Sequence, residues 1–203
     1  MSSHTATSCY RRPVILNRFV LLIVLAAISG CSRAPLIPLQ TGSMFPTLER
    51  QSECVLQPMD LAGTLKIGHV VTVILEGQMV VRRVAGLAGD VIEPDNGLYK
   101  RRGTTPNRTL VKETTMCLAG PSPRCTCEIW RERIGLRDVE VQRLSRKDIY
   151  DDIRCDPPVE HTPITVPPGH VFVLADNRDG AFDSRDVGPI PLDRIRARVL
   201  RCR

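Results

Sequence analysis

Residues Thr41–Leu48 read TGSMFPTL, and Ser43 is the side chain in this 203-residue sequence best suited to do covalent chemistry. A serine hydroxyl is a weak nucleophile at neutral pH. It must release its proton as it attacks, and the oxyanion that forms needs fixed donors. Gly42 leaves room for a substrate backbone beside the serine. The Thr41 hydroxyl can donate to an oxyanion alongside the Ser43 amide. A lone Gly-Ser-Met is most often an ordinary turn. Two downstream segments make this one more than that: VVRRVAGLAGD (Val80–Asp90) and GHVFVLADNRDGAFDSRDVGPIP (Gly169–Pro191). They supply adjacent arginines and a dense set of carboxylates.

The elements that must position these groups read as strands. Aromatic residues make up only 4% of the chain and prolines number 16, so the core is Val, Leu and Ile between frequent turns. Strands are predicted at Cys54–Leu56, His69–Leu75 and Met79–Val84, the last two joined by a tight Glu76-Gly77-Gln78 connection. Residues 95–160 are charged and turn-rich and read as a smaller lobe inserted between the two downstream segments. Within it, Trp130–Leu144 fits a helix or a strand equally well. Val171–Ala175 is a buried strand, 176–186 a polar loop, and Leu192–Leu200 a short helix or turn followed by an edge strand. The length fits one domain with a small second lobe.

The N-terminus carries an address. Arg11, Arg12 and Arg18 precede an apolar run, Phe19–Gly30. Positive charge before a short apolar stretch marks an export signal or membrane anchor. Two readings stand side by side. Ile28-Ser29-Gly30-Cys31 resembles a bacterial lipobox, which implies lipidation of Cys31 and removal of what precedes it. Alternatively, the segment is a short uncleaved span. In both, residues 1–31 are tail and anchor, and residues 32–203 form the exported body. Of the eight cysteines, six lie in that body, where disulfides are permitted and their pairing is not legible. Cys125-Thr126-Cys127 lacks the spacing of a structural zinc site. The net charge of +6, with no nucleic-acid motif, points to membrane lipids rather than nucleic acid.

Taken together, TGSMFPTL, VVRRVAGLAGD and DNRDGAFDSR resemble the bacterial type I signal peptidases, the membrane-bound serine peptidases of family S26. The resemblance covers about Pro35–Gly89 and Pro167–Arg198. It implies a mainly β fold of antiparallel sheets with an inserted lobe behind an N-terminal anchor. It also implies a serine endopeptidase of the bacterial inner membrane whose body faces the extracytoplasmic side. The substrates would be the signal peptides of preproteins, and no cofactor or metal is required. Residue by residue, Ser43 falls at the nucleophile, Thr41 and the Ser43 amide at the oxyanion hole, and Arg82 at the position of the lysine base. Arg83, Asp90, Asp176, Asn177, Arg178, Asp183, Ser184 and Arg185 fall at positions that buttress the site. Asp183 is expected to pair with Arg185 or Arg83.

The departure at Arg82 has chemical weight. Burial can make a lysine neutral near pH 7, but arginine does not follow: emptying it there costs roughly 8 kcal/mol. Ala181 also stands where the family carries a hydroxyl partner for the lysine. The Ser-Lys dyad is therefore not intact as written. His69 and His170 are the imidazoles that could substitute as base, and neither lies at the motif position. One outcome is a peptidase with a different means of activating Ser43. The other is a relative that binds signal peptides or a membrane protein without cleaving.

Overall fold

The computed structural model describes residues 36–38, 42–59, 65–95, 98–115, 117, 126–145 and 162–203. The predicted anchor, Cys31 and Thr41 lie outside the described residues. The description below concerns the unit Ala34–Arg203. Its strands are β1 (Leu36–Pro38), β2 (Glu53–Pro58), β3 (Val70–Leu75), β4 (Gln78–Leu87), β5 (Val91–Asp95), β6 (Leu98–Arg101), β7 (Arg108–Thr114), β8 (Cys127–Ile134), β9 (Arg137–Leu144), β10 (Ile164–Thr165), β11 (His170–Leu174), β12 (Ile190–Pro191) and β13 (Ile195–Cys202). One helical turn, α1 (Ser184–Val187), interrupts the polar loop after β11. The fold is mainly β and antiparallel throughout its strand pairs, as expected.

The main sheet has the order β1-β2-β13-β3-β4-β11-β12. Its centre is the predicted hairpin. The loop is two residues, Glu76 and Gly77, both at positive φ (46° and 75°), the twist that suits a right-handed strand pair. Gln78, assigned to the connection from sequence, is already in β4 opposite Leu75. That register sets Val71 opposite Arg82 and Val70 opposite Arg83. Successive side chains point to opposite faces, so the two arginines leave β4 on opposite sides.

Both faces of the sheet are covered. Val71, Val73, Val84, Val171, Val173, Ile190 and Ile195 form one apolar cluster. Ala85, Ile92, Tyr99, Val166, Phe172 and Leu174 form another. The strict alternation along β11 divides its residues between the two, and each buried aliphatic contributes about 1.5–3 kcal/mol. Gly86 lies where this packing is tightest. A Cβ there would stand 2.9 Å from Ile92 Cδ1 and 3.0 Å from Phe172 Cβ.

One expectation is overturned. The closing strand is not an edge: β13 lies between β2 and β3. Its alternation of buried Ile195 and Ala197 with arginines resembles that of an edge strand. Its second half, Arg198–Cys202, lines a cleft, while both sides of its backbone are paired. Trp130–Leu144, ambiguous from sequence, is a hairpin of β8 and β9 turning at Gly135 (φ 62°). With β7 it makes a separate three-stranded sheet, and β10-β5-β6 makes a third. Disulfides join Cys54 to Cys202, across β2 and β13, and Cys117 to Cys127.

Candidate active site

Ser43 sits in the turn before β2, only 7% exposed. Asn177, just past β11, holds that turn from behind. Its backbone N–H donates to the Ser43 carbonyl at 3.0 Å, and its side-chain amide to the Gly42 carbonyl at 3.3 Å. Gln142 of β9 anchors Asn177 in turn, Nε2 to Oδ1 at 3.1 Å. The β7-β8-β9 sheet thus reaches into the site through a buried amide pair.

Arg82, on β4, meets Ser43. Its Nη1 donates to Ser43 Oγ at 2.9 Å and to the Val81 carbonyl. Nε and Nη2 both donate to the Phe182 carbonyl, at 2.9 and 2.6 Å. The guanidinium is thereby clamped by backbone oxygens on two strands of chain. Burial pulls Arg82 below the ordinary arginine range, and the Asp183 carboxylate pulls the other way. A guanidinium carries donors and no acceptor. The motif cation therefore stands at the serine with the polarity opposite to that of a base. What it offers is stabilisation of negative charge on Oγ.

The remaining motif residues build the frame. Arg83 pairs in a two-point fork with Asp176, Nε to Oδ1 at 2.8 Å and Nη2 to Oδ2 at 2.5 Å. It also donates to the Gly68 carbonyl and to Thr47 Oγ1. Arg178 is fully buried against Glu132 of β8 at 2.7 Å, both side chains 1% exposed. Burial alone would lower the Arg178 pKa, but Glu132 and its neighbours hold it above the ordinary range. Asp183 accepts the Ala175 amide at 2.8 Å, and Arg185 forks onto both of its oxygens. Of the two partners anticipated for Asp183, Arg185 is the one observed; Arg83 is taken by Asp176. Burial pushes the Asp183 carboxyl up, and Arg185 together with the backbone donors outweighs this, so it titrates below the usual carboxylate range. Asp183 also caps α1 in a reciprocal box with Asp186. Ser184 Oγ accepts the Val173 amide at 3.0 Å. Asp179 accepts from the Leu144 amide.

Not every predicted residue joins the serine. Asp90 closes the turn after β4, accepting the Leu87 amide and pairing with Arg102. His170 is engaged with the Pro168 carbonyl. His69 lies two residues before Val71, the partner of Arg82, and its Nδ1 accepts from the Lys66 amide at 3.2 Å. Sequence reasoning missed Gln142, Glu132, Gly180 and the Phe182 carbonyl. A carbonyl has no sequence signature. Gln142 and Glu132 act through partners remote in sequence, and Gly180 through its close approach to Asn177.

A buried serine thus meets a clamped guanidinium from β4, with a loop of ion pairs behind it. The family is settled by comparison. The chain belongs to the signal peptidase family, peptidase S26, whose profile matches residues 12–202. Over 120 residues it is 30% identical to signal peptidase I of Pseudomonas fluorescens, 56% of this chain and 36% of that protein. It is 42% identical over 50 residues to mitochondrial inner membrane protease subunit 1 of Schizosaccharomyces pombe, 25% of this chain and 32% of that protein. It is 53% identical over 36 residues to thylakoidal processing peptidase 1 of Arabidopsis thaliana, 18% of this chain and 11% of that protein. The matches therefore span well under half of these relatives' lengths. A crystal structure of a signal peptidase I from Enterococcus faecalis aligns with a TM-score of 0.40 at 18% identity, over 68% of this chain and 98% of that one.

Proposed function

We propose that this chain is a membrane-anchored serine endopeptidase that removes N-terminal signal peptides from exported proteins, with Ser43 as nucleophile and Arg82 as a fixed cation rather than a base. The contact of Arg82 Nη1 with Ser43 Oγ at 2.9 Å carries the reading. A cation there lowers the free energy of the Oγ alkoxide, so the hydroxyl proton leaves to solvent hydroxide. Oγ then attacks the scissile carbonyl, and the oxyanion is held by the Ser43 amide and the Thr41 hydroxyl. The C–N bond breaks, the leaving amine takes a proton from water, and a second water hydrolyses the Ser43 ester. Substrate enters extended, as an added strand. Among the described residues, β4 is paired on its β11 side only from Arg83 to Leu87. The Gln78–Val81 stretch, beside the serine, is the edge such a strand extends. The body sits on the extracytoplasmic side of the inner membrane, tethered by residues 1–31. Loss of preprotein cleavage in Ser43→Ala tests the assignment.

A second reading rests on the same guanidinium. Arg82 cannot accept the serine proton, and a site built this way can bind the signal peptide without cutting it. In that case Ser43→Ala leaves signal-peptide affinity unchanged, and no variant intact at Arg82 cleaves.

A further inference from the structure

A cleft of about 500 Å³ has neither Ser43 nor Arg82 in its lining. Arg83 lines it, whereas Arg82 points to Ser43. His69, Arg137 and Arg198 form its polar wall, and Leu48, Val139 and Leu200 its apolar flank. The charges do not cancel. Of the lining carboxylates, Asp138 is taken by Arg133 at 3.0 Å and Glu140 by Arg131 at 2.9 Å. Arg83 is consumed by Asp176. Among the described residues, neither Arg137 nor Arg198 has a carboxylate partner. Among the described residues Arg198 donates to the Gln57 amide oxygen, at 3.0 Å, and Arg201 adds a further guanidinium to the lining.

His69 reports the resulting potential. Its pKa is lowered first by burial, then by Arg198, Arg137 and Lys66. Its Nδ1 is occupied as an acceptor of the Lys66 amide, which leaves Nε2 as a donor. Two guanidinium forks and an imidazole N–H suit a tetrahedral anion with several oxygens better than a single carboxylate.

We propose that this cleft is a binding site for a phosphate group, separate from the serine site and independent of whether Ser43 is catalytic. The apolar flank beside the guanidiniums favours a phosphate ester with an alkyl stem over the free ion.

The test uses the full-length chain in dodecyl maltoside and follows the His69 ring by NMR, assigned with His69→Gln. Inorganic phosphate and dihexanoyl phosphatidylglycerol are titrated separately, with octyl glucoside as the stem without phosphate. Both phosphates are expected to shift the His69 signal saturably and raise its pKa. Tighter binding of the lipid assigns the source as a headgroup, and equal binding assigns free phosphate. Arg137→Gln and Arg198→Gln should each weaken binding roughly tenfold, the loss of one charge-assisted contact. Arg196→Gln, outside the cleft, and Ser43→Ala should leave it unchanged. No saturable shift with either phosphate, an equal shift with octyl glucoside, or undiminished affinity in both cleft variants would overturn the proposal.

Discussion

Arg82 donates to Ser43 Oγ across 2.9 Å while the Phe182 carbonyl holds the other side of the same guanidinium. The serine is therefore addressed by a positioned cation that has no lone pair to take its proton. Replacing Arg82 with methionine keeps the length and apolar stem but removes the charge. Removing one oriented donor from a developing oxyanion typically costs about 10²–10³ in kcat. Arg82→Met should fall in that range with little change in KM, as read from initial rates on a model preprotein. An unchanged kcat would show that the contact has no part in the chemistry.

Gly180 touches the same machinery indirectly. A Cβ there would stand 2.8 Å from Asn177 Nδ2 and 3.0 Å from its Cγ and Oδ1. Asn177 is what holds the Gly42-Ser43 turn. Gly180→Ala should displace that amide and lower kcat by about tenfold or more, since misplacing a reacting group by 1 Å costs about 10²-fold. Thermal unfolding should show a smaller effect, within about 1–3 kcal/mol for overpacking. Wild-type turnover in the variant would mean that Asn177 does not position the serine.

Asp183 sets an acid limit on stability. Its pKa is below the ordinary value because Arg185 and the Ala175 and Arg185 amides outweigh the cost of burial. A carboxylate depressed in the folded state contributes stability that is full above its unfolded pKa, about 3.9. That contribution is lost as pH falls through the lower folded pKa. Asp183→Asn leaves the Arg185 charge without its partner. It should destabilise the protein by about 3 kcal/mol near pH 7. Urea midpoints of wild type and variant should converge as pH drops below 4. A constant difference across that range would contradict the assignment.

The Cys54–Cys202 bond closes a separation of 148 residues between the second and last strands. Constraining so long a loop in the unfolded chain is worth about 4–5 kcal/mol in the chain-entropy view. A Cys54→Ala, Cys202→Ala double variant should show a lower denaturant midpoint by that order, and reductant should lower the wild-type midpoint at least as far because it also opens Cys117–Cys127. Equal midpoints with and without the bond would show that β13 is held by its two strand neighbours alone.

The hairpin was legible because Val-rich alternation and a Glu-Gly turn leave little else for residues 70–87 to form. Ser43 and Arg82 were legible as members of one site through their segments. The distance and polarity of their contact were not, because the clamp on Arg82 is a backbone carbonyl 100 residues away. The Asp183–Arg185 pair was one of two options because local spacing permits it, while Arg83 had to choose between Asp176 and Asp183 in three dimensions. The position of β13 was misread for a physical reason: one arginine-rich face resembles a solvent edge, and sheet neighbours are set by topology rather than by strand composition. Gln142 and Glu132 belong to the β7-β8-β9 sheet. Their part in the site follows from how β8 and β9 pack against the loop after β11.

The most direct test of the central claim is the rate of preprotein cleavage against pH for wild type, Ser43→Ala and Arg82→Lys, all full-length in detergent. With Ser43 as nucleophile and no general base, the wild-type rate should climb about tenfold per pH unit through neutrality without levelling. Arg82→Lys should level off once its amine is neutral, as a general base does. Ser43→Ala should be silent. A wild-type plateau near pH 7 would reveal a base that the Arg82 contact does not provide. Cleavage that survives Ser43→Ala, or no wild-type cleavage at any pH, would contradict the account outright.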